Sequence, residues 1–234
     1  MAATTNLTVF DLRDFSDRLP SNAGKLKKAI RQWVDGHSAS ADLTIATDYI
    51  DDAIRIHRGR RTSLVNAATA LLHSAIILYA RSLERKSDHR GFVRIIEKLG
   101  DEGKEFHNGL IQIRDNALAH FGPAGSGRSW NEDHVVLIME DDVGQPALAV
   151  RRSLFDLSYA IDFRLHLREV CGIVQRTVDE RRNAFQSLFD RAIEDAEICA
   201  VLKASQVDPK KFGEAGKLIF KGPRSGRAIG IFND

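Results

Sequence analysis

The chain has only two cysteines, Cys171 and Cys199, and both fall in helical patterns. Isolated thiols of this kind offer neither a disulfide framework nor a thiolate metal cluster, and they suit a reducing cytosol. Long apolar runs are missing too. The longest, Ala75-Ile76-Ile77-Leu78-Tyr79-Ala80, falls far short of the roughly 20 residues that span a membrane. Residues 1–20 carry Asp11, Arg13, Asp14, Asp17 and Arg18 and have no apolar signal core, which argues against export. A cytoplasmic protein that makes no use of a membrane is therefore expected. Charge of one sign is scarce: the formal net charge is +2, which argues against coating nucleic acid through bulk charge but leaves room for a local site. There is no internal repeat and no low-complexity tract. The stretch from Gly122 to Gly127 has neither a preceding strand nor the Lys-Ser/Thr ending of a phosphate-binding loop. The histidines are not spaced as a metal cluster, so neither a metal nor a cofactor is expected.

What is present reads as a helical protein. With 234 residues, 43% of them hydrophobic and 28% charged, the chain is an ordinary globular composition with room for one large domain or two small ones. Residues 1–20 are weakly patterned and end at Pro20. Ser21 or Asn22 can cap a short helix through Lys25, Leu26, Ala29, Ile30 and Val34, stopped near Gly36. Leu43, Ile50, Ala53, Ile54 and His57 predict a second helix over about 41–58. Thr62 or Ser63 opens a stronger one, to about Arg85, whose broad apolar face (Leu64, Ala68, Leu71, Leu72, Ala75, Leu78, Tyr79, Leu83) suits a buried bundle helix. A short helix over 91–99 ends at Gly100. Asp101 then starts another, lined by Phe106, Leu110, Ile113, Ala117 and Leu118 and ended by Gly122-Pro123. After a Gly/Ser-rich loop the period changes: 134–139 and 147–150, around a turn at 141–146, predict a β-hairpin that must pack on the helices. Ser153 caps a long helical region to about Ala204, with room for a break across Arg181-Arg182. The tail after Pro209 is a second hairpin (218–220 with 228–232) or a partly mobile segment. The expected fold is mainly α, a helical bundle with a β-hairpin insertion after the helix that starts at Asp101. The expected organisation is an N-terminal helical extension over 1–60, the bundle over 61–204 with its hairpin at about 133–151, and a basic tail over 205–234.

The residues that carry chemistry lie at the end of that helix, in Ile113-Arg114-Asp115-Asn116-Ala117-Leu118-Ala119-His120-Phe121. Arginine offers a permanent charge in a planar fork that fits phosphate oxygens. Histidine accepts or donates a proton near neutral pH. RNA supplies its own nucleophile, the 2′-hydroxyl, so a protein needs a base, an acid and positive charge on the phosphate, and no metal. At ~100° per residue Arg114 and His120 stand about 120° apart and border one groove. Asn116, four before His120, shares its face and is placed to hold the ring or a phosphate. His107, seven before Arg114, extends the same cleft.

The stretch from Leu71 to His120 resembles the HEPN superfamily (higher eukaryotes and prokaryotes nucleotide-binding domains). Its signature is an Arg, often followed by a polar residue, then a His after four to six positions. Arg114, Asp115 and His120 fit it with five residues between Arg and His, and the phrase from Arg114 to Phe121 looks most like a bacterial subgroup linked to abortive infection and toxin–antitoxin defence. The resemblance covers about half of the chain and implies a helical bundle acting as a metal-independent endoribonuclease. It also implies a homodimer that brings two motifs into one cleft, 2′,3′-cyclic phosphate products, and an antitoxin protein as a further partner. In that picture His120 is the general acid/base, Arg114 the phosphate clamp, and Asp115 orients a side chain or the RNA substrate. In some toxins of the superfamily a Tyr two places after the His is modified by a nucleotidyltransferase antitoxin; here that position is Gly122.

Plainer readings stand beside these. Arg114 can pair with Glu102, Glu105 or another acid, and His120 can cap a helix C-terminus, where a cation is favoured. A non-catalytic RNA- or nucleotide-binding dimerisation module with the same fold is the alternative function. His73, His89, His134 and His166 read as helix-face packing, surface, strand and surface, and Trp33 and Trp130 as packing. The basic groups at Arg55, Arg58, Arg60 and Arg61 and in the tail read as solvated surface.

Overall fold

The computed structural model describes residues 9–59, 64–84, 93–118, 134–139, 146–151 and 156–207. These are mainly helical, with two small antiparallel sheets of two strands each. The expected bundle with a hairpin is what the structure has. The proposed second hairpin over 218–232, the basic tail, the Gly/Ser-rich loop and Trp130 lie outside the described residues. By contacts the chain divides into two compact units, the first comprising 1–41, 88–91 and 175–234 and the second 42–87 and 92–174.

The first unit begins with a two-residue strand β1 (Val9–Phe10), paired antiparallel with β4 (Gln206–Val207) so that Val9 faces Val207 and Phe10 faces Gln206. Helix α1 (Leu12–Arg18) starts at Asp11, whose carboxylate accepts from the N–H groups of Arg13 at 2.8 Å and Asp14 at 3.1 Å. Such caps satisfy donors that have no partner inside the helix. The unit also holds the first part of α2 (Gly24–Arg58), the last part of α5 (Leu157–Ala192), and α6 (Ala196–Ala204), capped by Asp195. Phe15, Leu19, Leu26, Ala29, Ile30, Phe185 and Ile198 form its core, and Trp33, Leu188 and Phe189 pack on it. Trp33 stacks on Phe185 with ring centres 4.8 Å apart, so it is a packing residue here.

In the long helices two expected interruptions are missing, each for a physical reason. No helix ends at Gly36: α2 runs unbroken for 35 residues. Glycine in a helix interior costs about 1 kcal/mol against alanine, yet a Cβ at position 36 would lie 3.0 Å from Cγ2 of Val178. The glycine permits close approach instead of ending the helix. Likewise α5 does not break at Arg181-Arg182; Arg181 donates to the carbonyl of Gln32 at 2.8 Å. The break falls at 193–195, where Asp195 starts the next helix.

The second unit holds the remainder of α2, then α3 (Val65–Leu83), a 3-10 turn (Ile96–Lys98), α4 (Asp101–Gln112), a π-helical turn (Ile113–Leu118) and the hairpin β2 (His134–Met139) with β3 (Pro146–Arg151). The hairpin register sets His134 opposite Arg151 and Met139 opposite Pro146, so Pro146 belongs to the strand and not the turn. The first part of α5 completes the unit, with Asp156 accepting from the N–H groups of Ser158 and Tyr159; Ser153, the expected cap, lies outside the described residues. The short helix expected over 91–99 is reduced to the 3-10 turn. Apolar side chains at helical spacing make the core: Leu43, Ala46 and Ile50 on α2, Ala68, Leu72, Ala75 and Ile76 on α3, Leu110 on α4, and Phe163, Leu167, Val170 and Val174 on α5. Asp42, buried in this core, receives a two-pronged ion pair from Arg81, with the Arg81 Nε bond at 2.7 Å. Among the described residues no helix is long and apolar enough to cross a membrane.

Gly24, by contrast with Gly36, has open space around it. Gly36→Leu is therefore expected to lower unfolding free energy by ~1–3 kcal/mol through overpacking, while Gly24→Leu leaves it unchanged or raised. Urea unfolding of the two variants checks this; equal effects would contradict the close-packing account.

Candidate functional site

Leu110 and Ile113 are buried and hold the end of α4 against the interior. From Ile113 to Leu118 the backbone winds as a π-helix. Its bonds run from residue i to i+5, so the 100° step of an α-helix does not apply across these residues. The expected angle between Arg114 and His120 ends on a residue outside the described ones. Arg114, Asp115 and Asn116 all fall in this turn. His120 lies outside the described residues.

Arg114 is largely covered, its side chain 19% exposed. Its Nη2 donates to Oε2 of Glu84 at 3.0 Å. Its Nε lies 2.8 Å from Oδ1 of Asp115, but without the alignment of a hydrogen bond, so this contact is one of charge. Glu84 follows directly on α3, its N–H bonded to the carbonyl of Ala80 at 3.0 Å, and α3 packs against the π-helical turn. Of the acids open to it, Arg114 pairs with Glu84 and not with Glu102 or Glu105. One guanidinium sits between two carboxylates, Glu84 and Asp115, and the three together carry a single negative charge.

His107 does not extend an exposed cleft. It is 1% exposed and sits inside the second unit. Its Nδ1 lies 2.8 Å from the hydroxyl of Tyr79, which is itself fully buried. The same hydroxyl lies 2.8 Å from Nε2 of His166. His166 is therefore not a surface residue either; it is 7% exposed and belongs to the core. Both errors have one cause. A buried tyrosine hydroxyl must find partners, and a polar side chain on the inner face of a helix is the means. Phe106, Tyr159 and Phe163 wall the triad: Phe106 stacks on Tyr159 at 5.3 Å and Phe163 meets Tyr79 edge-on at 5.6 Å.

A hydroxyl has one proton to give, so it donates to one imidazole and accepts from the other. The ring that accepts is therefore neutral, and burial disfavours the charged form of both. Burial pushes the His166 imidazole down to about 4, with neighbouring His107 a lesser cause in the same direction. Burial also lowers His107, with the charge of Glu84 opposing it. Burial drives the Tyr79 hydroxyl well above its usual range, reinforced by Tyr159, Glu84 and Glu169. The second nitrogen of His107, Nε2, is buried and has no hydrogen-bond partner among the described residues. Glu84, Tyr79 and His166 were not singled out from the sequence; the signal was a Tyr on an otherwise Ala/Leu/Ile face.

Among the described residues no group of three or more His, Cys, Asp or Glu is placed to hold a metal ion. No family model, curated protein or solved structure matches the chain.

Tyr79→Phe removes the hydroxyl that both imidazoles share and is expected to cost ~1–3 kcal/mol of stability at pH 7, read by urea unfolding. Four described histidines, His37, His73, His107 and His166, are lowered by burial. The unfolded chain binds protons to them first, so stability is complete above pH ~6.5 and falls as pH drops toward the His166 value. Asp35, raised by burial, opposes this weakly. Melting temperature is expected to decline between pH 7 and 5, and His166→Gln to make the decline shallower; a flat profile would contradict the neutral triad.

Proposed function

We propose that the chain is a metal-independent endoribonuclease of the HEPN type, a bacterial defence or toxin effector working in the cytoplasm. The observation that carries this reading is the placement of Arg114. It stands in a π-helical turn at the end of α4, a form of backbone frequent at functional sites, six residues before His120 in the chain. Its guanidinium lies 3.0 Å from the Glu84 carboxylate and 2.8 Å from that of its chain neighbour Asp115, which positions it ahead of substrate. Arg114 clamps the scissile phosphate and His120 moves the proton between the 2′-hydroxyl and the leaving oxygen. Asp115 orients the guanidinium, and Asn116 contacts the substrate. One Arg and one His do not fill base, acid and clamp together, so a homodimer bringing two motifs into one cleft completes the site. The products are 2′,3′-cyclic phosphates, and an antitoxin protein is the partner that restrains the activity.

The same geometry favours a second reading. An arginine already facing two carboxylates is partly neutralised, which suits a non-catalytic module that grips RNA or a nucleotide and dimerises without cutting.

RNA cleavage in EDTA separates the two. Cleavage by the wild type is expected, with His120→Ala and Arg114→Ala losing ~100-fold or more of the rate while remaining folded by circular dichroism. Undiminished cutting by His120→Ala would overturn the nuclease reading, and RNA binding without any cleavage would select the second.

A further inference from the structure

The Arg114 ion pair holds a piece of information beyond the reaction class. Glu84 occupies the Nη2 end of the guanidinium at 3.0 Å and Asp115 faces Nε at 2.8 Å. A carboxylate and a phosphodiester both accept from the same donors of arginine, and both carry one negative charge. The two acids differ in how they are tied. Asp115 is the next residue in the chain and stays beside Arg114 whatever the substrate does. Glu84 comes from the first residue after α3, thirty positions away in sequence, and its side chain is partly open to solvent. It can leave its partner without any change in the π-helical turn.

We infer that Glu84 is an internal competitor for Arg114, exchanged for a phosphodiester on substrate binding, and that this exchange selects internal RNA phosphates over terminal ones. The inference rests on the reading of Arg114 as a phosphate clamp. Replacement of Glu84 by a monoanionic phosphodiester leaves the charge beside Asp115 unchanged. A phosphomonoester, carrying between one and a half and two charges near pH 7, brings its extra charge against two carboxylates, Asp115 and the displaced Glu84, with one guanidinium between them, and is disfavoured. The site is therefore closed to free nucleotides and terminal phosphates and opens to a chain that presents its linkage along with further contacts. Glu84 is a specificity-determining residue and takes no part in proton transfer.

The test is binding by the full-length protein to a 2′-O-methyl RNA oligonucleotide, which keeps RNA geometry and lacks the nucleophile, followed by fluorescence anisotropy at low salt. Glu84→Gln is expected to tighten binding on the order of tenfold, and Arg114→Ala in the same background to abolish the gain. A 2′-O-methyl dinucleoside monophosphate is expected to displace the oligonucleotide from the wild type better than a nucleoside 5′-monophosphate does, with the gap narrowed in Glu84→Gln. Should Glu84→Gln fail to fold, Glu84→Asp, whose carboxylate is drawn back by one methylene, must show a smaller tightening in the same direction. Unchanged or weaker binding by the folded Glu84 variants, with Arg114→Ala still weakening the wild type, overturns the competitor and leaves the clamp standing. Binding indifferent to Arg114→Ala, or no binding by any form, overturns both.

Discussion

The second unit depends on one buried hydroxyl. Tyr79 comes from α3, His107 from α4 and His166 from α5, and the two imidazoles meet at the same oxygen at 2.8 Å each. Apolar contact alone lets helices slide and rotate against one another at small cost, because hydrophobic burial has no direction. Hydrogen bonds in a dry interior do have direction, and losing one there is expensive. The triad thus fixes the rotation of α4 relative to α3 and α5. The π-helical turn that carries Arg114 continues α4 without interruption, so the direction of the guanidinium is inherited from a contact seven residues upstream.

That arrangement explains why Glu84 is where it is. Tyr79 and Glu84 are five residues apart near the end of α3, one facing inward and the other placed at the helix terminus. The same helix therefore supplies both the rotational lock on α4 and the acid on Arg114. Glu84 also acts electrostatically on both Tyr79 and His107. Buried neutral groups and half-exposed charged ones form one connected polar region within an otherwise apolar bundle.

Much of this was legible in the sequence, and the failures share a pattern. Periodicity located α3, α4 and α5 because each shows one face to the core, and the change to an alternating period located the hairpin. It failed at Gly36, where local propensity pointed to a helix end and a contact with Val178 decided otherwise. It failed for β1 and β4, two residues each, too short to show any period. The π-helical turn left no readable mark: Asp115 and Asn116 are weak helix formers, but they fit a helix end as well as a π-helical turn. At the candidate site Arg114 and Asp115 were found by residue type and spacing. Glu84, Tyr79 and His166 were not, because partners thirty to ninety positions apart in the chain meet only through the fold.

The pairing of β1 with β4 has a consequence for how the chain is made. The first unit draws its described residues from 9–41 and 175–207, whereas the second uses 42–87 and 92–174, which lie between them in the chain. During synthesis Phe15, Leu26 and Ile30 leave the ribosome long before Phe185 and Ile198, the residues that cover them. The second unit can assemble while they wait, and the first unit is finished only when β4 emerges to close on β1. Contacts so distant in sequence form slowly, because the loop between them must be closed before they contribute. Phe15, Leu26 and Ile30 therefore stay without their covering residues until the chain past Ile198 has been made, and apolar side chains waiting in this way are what chaperones shield.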